Sequence, residues 1–216
     1  MSTLVLSFYF QQGSFKMSDK KHWDDVYTTR DAHEVTWYQS RPEKSLNLIE
    51  GLSLNKDASI IDVGAGASTL VDHLLEMGFS DIHLLDLSSV ALNKTLARIG
   101  SDKVKAKVGS VLEFKANTPF SLWHDRAVFH FLLDDKDRKH YLEVLENSLK
   151  ENGYFIISAF ASDGPEKCSG LPVHRYSVEE LCEFFSHFKL LENVREIHIS
   201  PKGMEQKFIY CLFQKN

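Results

Sequence analysis

Five apolar runs, separated by stretches of helical periodicity, set the rhythm of the chain. Residues 58–63, 82–87, 104–108, 120–123 and 154–160 read as strands, and runs this continuously apolar suit a sheet buried on both faces. Between them, Leu70, Leu74 and Leu75 make one helical face that Gly78 stops. Leu92, Leu96 and Ile99 make another, after a cap at Ser88 or Ser89 and before Gly100. Tyr141, Leu145 and Leu149 recur every four residues on a helix ended near Gly153. An earlier helix covers residues 42–52, with Pro42 in its first turn and Leu46, Ile49 and Leu52 on one face.

Strands alternating with helices predict right-handed parallel crossovers. Beyond residue 160 the pattern changes. Residues 161–175 hold two glycines and two prolines and read as a loop, and Ser177 with Glu180 forms a capping box for a helix bearing Leu181, Phe184 and Phe185. Two last apolar stretches, 189–199 and 206–213, are joined by Pro201 and Gly203 and predict an antiparallel pair. The expected fold is α/β, a doubly wound, mostly parallel seven-stranded sheet of Rossmann-like type with a C-terminal antiparallel hairpin.

One domain is expected over residues 17–216. Residues 17–52 would form an N-terminal lid and helix, 53–160 a cofactor-binding core, and 161–216 a substrate-side loop, helix and hairpin. Residues 1–16 are set aside as an extension outside the fold, because Met17-Ser18-Asp19-Lys20-Lys21 is a more natural start and the apolar residues before it lack the features of a signal peptide.

Charge and cysteine usage narrow the function classes. The 25 Lys and Arg against 30 Asp and Glu are mildly acidic, with no basic run that could track a phosphate backbone, so nucleic acid is not an expected partner. No apolar run reaches the roughly 20 residues that span a bilayer, so no membrane partner is expected. Cys168, Cys182 and Cys211 are odd in number and lack paired metal-ligand spacing, which predicts reduced thiols, a cytoplasmic protein and no metal site. A monomer or homodimer is expected.

The stretch Asp62-Val63-Gly64-Ala65-Gly66 runs from a strand into a tight turn that opens a helix, the arrangement that cradles a nucleotide-like ligand. A dinucleotide fingerprint would place a third small residue where Thr69 stands. Asp62 would repel a pyrophosphate but accept from an ammonium, so the ligand should carry a positive group. Asp86, ending the second strand, is placed to receive two ribose hydroxyls. The plainer reading makes Asp62 a turn residue and Asp86 a helix cap.

The pattern resembles the class I S-adenosylmethionine-dependent methyltransferases over nearly all of residues 22–216. The resemblance implies S-adenosylmethionine as cofactor, held by Asp62, Gly64, Ala65, Gly66, Asp86, Leu87, Ser110 and Val111. Members of that family often carry Asp after the third strand. This chain has Gly109-Ser110-Val111, and Ser110 takes that place.

The stretch from Phe120 to Leu132 sets two histidines, an acid and a base near a strand end, and is expected to wall the substrate. His124 and His130 are candidate general bases and Arg126 a clamp for an anionic acceptor, which makes these three the candidate catalytic residues. Trp123-His124-Asp125-Arg126 is similar to the Trp-Asp-Arg segment of the thiopurine S-methyltransferases, and Trp37-Tyr38-Gln39 to their lid, which implies a small-molecule acceptor. Trp37, Tyr38, Asp125, His174 and Arg175 are the candidate substrate-side residues. Each has a plainer reading: core aromatics for Trp37 and Tyr38, a local pairing for Asp125 and Arg126, a satisfied core histidine for His130, and a solvated loop for His174 and Arg175.

The expected function is methyl transfer from S-adenosylmethionine to a small molecule by in-line displacement. A protein-lysine methyltransferase, a nicotinamide-dependent oxidoreductase and a catalytically silent S-adenosylmethionine-binding module are the alternatives.

Overall fold

The structure is a computed structural model that describes residues 17–216. The proposed extension at residues 1–16 lies outside the described residues. Five parallel strands, β1 (Ser59–Val63), β2 (Asp81–Asp86), β3 (Lys105–Val108), β4 (Phe120–Arg126) and β5 (Leu149–Phe160), join the antiparallel pair β8 (Phe188–Ile199) and β9 (Glu205–Lys215) in one sheet. The strand order is β3-β2-β1-β4-β5-β9-β8. The order reverses direction between β1 and β4, and in open α/β sheets ligands bind outside the carboxyl ends of the strands at such a reversal.

Successive side chains of a strand point to opposite faces, and each face carries its own core. Ile61, Val63, Trp123, Phe155 and Ile157 pack on one side with Tyr141 and Leu145 of α5 (Asp135–Ser148) and Leu181 of α6 (Val178–Phe184). Ile60, Leu122 and Ile156 pack on the other with Leu46 and Ile49 of α2 (Glu43–Gly51) and Leu70 and Leu74 of α3 (Leu70–Glu76). Each such fully buried aliphatic side chain contributes about 1.5–3 kcal/mol. All five residues of β1 are buried, which is why its sequence is apolar apart from Ser59 and Asp62.

The remaining helices are α1 (Met17–Thr29), which packs on α4 (Ser89–Ile99). Ser88 caps α4 by accepting from the Ala91 amide, and Ser177 and Glu180 form the expected capping box at α6.

Three expected boundaries move. β4 runs on to Arg126 instead of ending at Trp123, because His124, Asp125 and Arg126 still pair with Ile156, Ile157 and Ser158 of β5. Leu149 is the first residue of β5 and not the last of α5, since it pairs with Phe120. The loop at 161–175 contains a small ribbon of β6 (Lys167–Cys168) and β7 (Leu171–Pro172).

Candidate active site

The turn after β1 requires its glycines. Gly64 and Gly66 have φ of 67° and 49°, in the left-handed region that side chains disfavour. A Cβ at Gly64 would lie 2.0 Å from Val128 Cγ2, and one at Gly66 would lie 2.5 Å from the Tyr27 hydroxyl oxygen. The Gly64 and Ala65 amides both donate to the Leu85 carbonyl, at 2.8 and 3.1 Å, which ties the turn to β2. Asp86 closes the arrangement by accepting from the Gly66 amide at 2.8 Å and the Ser88 amide at 2.7 Å. Burial pushes the Asp86 carboxyl up to about 6 despite those two amides, with the carboxylates of Asp62 and Asp24 adding to the rise.

Over this turn lies a lid of aromatic rings. Trp23 and Tyr27, one turn apart on α1, meet Trp37 edge to face at centroid distances of 5.7 and 6.3 Å, and Trp23 meets Phe131 at 5.3 Å. Asp24 anchors α1 by accepting from the Ser88 hydroxyl at 2.7 Å. Beneath the lid a cleft of about 680 Å³ is lined by Gly64, Asp86, Leu87, Gly109, Val111 and Arg126, among others. It adjoins a second lobe of about 570 Å³, lined by Asp62, Ala65, Ser68, Tyr38, His124 and Ser45, with Tyr27, Trp37, Gly64 and Arg126 common to both lobes.

The stretch from His124 to His130 divides. His124 is 2% exposed; its Nδ1 lies 2.7 Å from Asp62 Oδ1 and its Nε2 2.8 Å from Ser45 Oγ. A ring occupied at both nitrogens has no free lone pair for a substrate proton, which corrects its expected role as general base. Asp125 is completely buried and faces the opposite side of the sheet. There it accepts from the Tyr141 hydroxyl at 2.7 Å and from the Val128 amide at 3.0 Å, so it is not substrate-side. Burial pushes its carboxyl up to about 6. His130 is buried between Phe131 and Phe160, and burial together with the charge of Arg126 pushes it down to about 3. A ring so placed neither reaches the cleft nor holds a proton near neutral pH, and it is corrected to a core histidine.

Arg126 is the member of the group that faces both lobes. Nε donates to the Tyr210 hydroxyl at 2.9 Å, Nη1 to the Trp37 carbonyl at 3.1 Å, and the guanidinium lies 4.9 Å from the Phe208 ring centroid. Its Nη2 is buried with no hydrogen-bond partner among the described residues.

Trp37 lines both lobes and Tyr38 the second. His174 and Arg175 line neither lobe: the His174 ring lies tilted against Tyr176, and Arg175 donates to the Gly164 carbonyl at 3.2 Å. The folded loop places both away from the cleft, which corrects their expected substrate-side position. Ser110 accepts from the Leu112 amide at 3.2 Å and caps a short turn, while Gly109 and Val111 on either side line the cleft. Sequence reasoning expected a lid over residues 17–52 but singled out only Trp37 and Tyr38 in it, and it did not single out Trp23, Tyr27, Cys168 or Ser45. The spacing of Trp23 and Tyr27, one helical turn apart, is the signal that would have added them to the lid. Nothing local marks Ser45 or Cys168.

A Rossmann-like sheet with a glycine turn at the β1/β4 switch point, a carboxylate ending β2 and an antiparallel C-terminal pair defines the class I S-adenosylmethionine-dependent methyltransferase fold. The family of methyltransferase domains matches residues 54–208, and the chain belongs to it. It is an S-adenosylmethionine-dependent methyltransferase. The EEF1A lysine methyltransferase 2 of Homo sapiens is 25% identical over 218 residues, covering 92% of this chain and 86% of the relative. Among solved structures, the 1,6-didemethyltoxoflavin-N1-methyltransferase of Burkholderia thailandensis, with bound 1,6-didemethyltoxoflavin and S-adenosylhomocysteine, is 23% identical with a TM-score of 0.67. It covers 92% of this chain and 84% of its own. A SAM-dependent methyltransferase of Anabaena variabilis is 14% identical with a TM-score of 0.72 and coverage of 94% and 96%.

Among the described residues no helix is long and apolar enough to cross a membrane, and no group of three or more His, Cys, Asp or Glu is arranged to hold a metal ion.

Proposed function

We propose that the chain methylates a small-molecule acceptor bearing an anionic or strongly hydrogen-bond-accepting group that docks on Arg126. The carrying observation is the Arg126 Nη2, buried at the carboxyl end of β4 and without a partner among the described residues while the other two nitrogens are engaged. A buried donor without a partner costs about 1–3 kcal/mol, a cost that a bound acceptor group removes.

The cofactor supplies an electrophilic methyl group on a sulfonium centre. Its site would be built by Asp62, Gly64, Ala65, Gly66, Asp86, Leu87, Gly109 and Val111, with Ser110 capping the turn between the last two, Asp86 accepting from ribose hydroxyls and Asp62 from the ammonium. Asp86 lines the first lobe and Asp62 the second, so the two carboxylates serve different ends of such a ligand. Gly64 and Gly66 let Val128 and the Tyr27 hydroxyl close onto the turn beside the cleft. The lid of Trp23, Tyr27 and Trp37 excludes water from the transfer, and Arg126 orients the acceptor through Nη2 while its bond to the Trp37 carbonyl holds the lid closed.

Arg126→Gln should raise the KM for carboxylate or phenolate acceptors at least tenfold with a smaller change in kcat, read by release of S-adenosylhomocysteine. An unchanged KM across the panel would remove Arg126 from the acceptor site.

A second reading, a protein lysine, draws on the name of the curated relatives, EEF1A lysine methyltransferase 2. A lysine arrives as an ammonium, which the Arg126 charge opposes. Methylation of purified elongation factor 1A in preference to every small acceptor would make this reading the correct one.

A further inference from the structure

Asp62, His124 and Ser45 form a buried chain that the methyl-transfer step does not use. Asp62 and His124 are register partners on the adjacent strands β1 and β4, and Ser45 reaches them from α2. All three are less than 5% exposed and all three line the second lobe. The distances are 2.7 Å from Asp62 Oδ1 to His124 Nδ1 and 2.8 Å from His124 Nε2 to Ser45 Oγ.

A carboxylate only accepts, so Nδ1 carries the hydrogen and donates it to Asp62. In the neutral ring Nε2 is then the acceptor, and the Ser45 hydroxyl donates to it. That sequence of bonds is the one found in serine hydrolases, but Ser45 is 0% exposed and its hydroxyl hydrogen is directed at the histidine from inside the core. The direction of use therefore runs the other way, from Ser45 outward to Asp62. His124 occupies Oδ1 with one hydrogen bond and so restrains the carboxylate, and among the described residues Oδ2 makes no hydrogen bond. A buried carboxylate with one oxygen satisfied by the protein and one facing the lobe is set to receive a cationic donor.

We propose that His124, braced by Ser45, is a positioning residue that orients Asp62 toward the ammonium of the methyl donor's amino-acid part, and so sets the selectivity for that part of the ligand. This rests on the reading of Asp62 as the ammonium acceptor. His124 touches neither acceptor nor methyl group; it acts through the carboxylate.

The test is calorimetric titration of the full chain with two thioether probes. S-Adenosylhomocysteine carries the amino-acid part, and 5′-methylthioadenosine carries the same nucleoside without it. Wild type should bind the first more tightly by roughly tenfold or more, the worth of a hydrogen bond to a charged group. His124→Leu should lose most of that ratio, weakening S-adenosylhomocysteine by roughly tenfold while methylthioadenosine stays within about twofold. His124→Asn, whose amide restores an N–H donor to Asp62, should keep S-adenosylhomocysteine within about threefold of wild type. Ser45→Ala removes only the outer hydroxyl and should lower the ratio by about two- to fivefold, which keeps the test alive if His124→Leu does not fold. Equal weakening of both probes by the His124 and Ser45 variants would show a merely structural chain and overturn the proposal. A wild type that binds both probes equally would instead overturn the reading of Asp62 itself, and the proposal with it.

Discussion

Replacing Gly64 by alanine isolates the close approach that shapes the cleft. Two costs are involved. The residue sits at φ 67°, where an L side chain costs about 1–2 kcal/mol. The new Cβ would stand 2.0 Å from Val128 Cγ2, well inside van der Waals contact, and Val128 has little room to retreat because its amide is held by Asp125 Oδ1 at 3.0 Å. Overpacking of this kind costs about 1–3 kcal/mol. The sum is about 2–5 kcal/mol, which for a domain of this size lowers Tm by roughly 5–15 °C. Gly170 provides the control: its φ of 81° carries a similar backbone cost, but nothing lies within 4 Å of its Cβ position. Gly170→Ala should therefore cost only about 1–2 kcal/mol. Adding Val128→Ala to Gly64→Ala removes Cγ2 and leaves Val128 Cβ at 3.5 Å, an ordinary contact. The pair should recover about 1–3 kcal/mol relative to additivity in a double-mutant cycle. Urea unfolding followed by far-ultraviolet circular dichroism measures all five proteins: wild type, Gly64→Ala, Val128→Ala, their double variant and Gly170→Ala. If Gly64→Ala is no more costly than Gly170→Ala, or if Val128→Ala recovers nothing, the steric account of the turn is wrong.

Two further predictions concern pH. Asp86 has a folded value of about 6, above the 3.8 of its free form, so its stabilising contribution is full below about pH 3.8 and is lost as pH rises through 6. The stability of Asp86→Asn relative to wild type should accordingly increase by about 2–3 kcal/mol between pH 4 and pH 7, measured by urea unfolding at each pH. His130 moves the other way: its folded value of about 3 lies below the ordinary 6.5, so the unfolded chain takes up a proton that the folded chain refuses as pH falls below 6.5. Wild type should lose about 2 kcal/mol from this group between pH 7 and pH 5, a loss absent in His130→Leu. A His130→Leu variant with the same acid sensitivity as wild type would show that His130 is hydrated and not a core group.

The strands, helices and glycine turn were legible because each rests on a local rule. β1 is apolar since all five of its residues are buried, and Gly64 and Gly66 stand where the backbone turns left-handed. The lid was only partly legible. Trp37 and Tyr38 stood out, but Trp37 meets α1 where Arg126 holds the Trp37 carbonyl and Ser88 donates to Asp24. Those bonds bridge positions far apart in the chain, and no periodicity announces them. Ser45 is a stronger case: on α2 it is one polar residue in an ordinary amphipathic helix, and only the packing of α2 against β1 and β4 brings it to His124.

The errors around β4 share one cause, and it is instructive that the strand's own period resolves them. Ending the strand at Trp123 leaves His124, Asp125, Arg126 and His130 as one loop cluster in which every polar group is equally a candidate. Continuing it to Arg126 imposes alternation. Leu122, His124 and Arg126 then fall on one face, where Leu122 joins the core beneath α2 and α3 and the other two line the cleft. Trp123 and Asp125 fall on the opposite face, where the Tyr141 hydroxyl accepts from Trp123 Nε1 and donates to Asp125. His130 lies beyond the strand altogether, on a short helical turn where it packs on Phe160. Alternation thus separates a carboxylate that braces the loop over Gly64 from a histidine and an arginine that line the cleft. Of the latter two, His124 is already engaged at both nitrogens, whereas Arg126 keeps one buried nitrogen, Nη2, without a hydrogen-bond partner among the described residues, which is why the proposed acceptor is placed on Arg126.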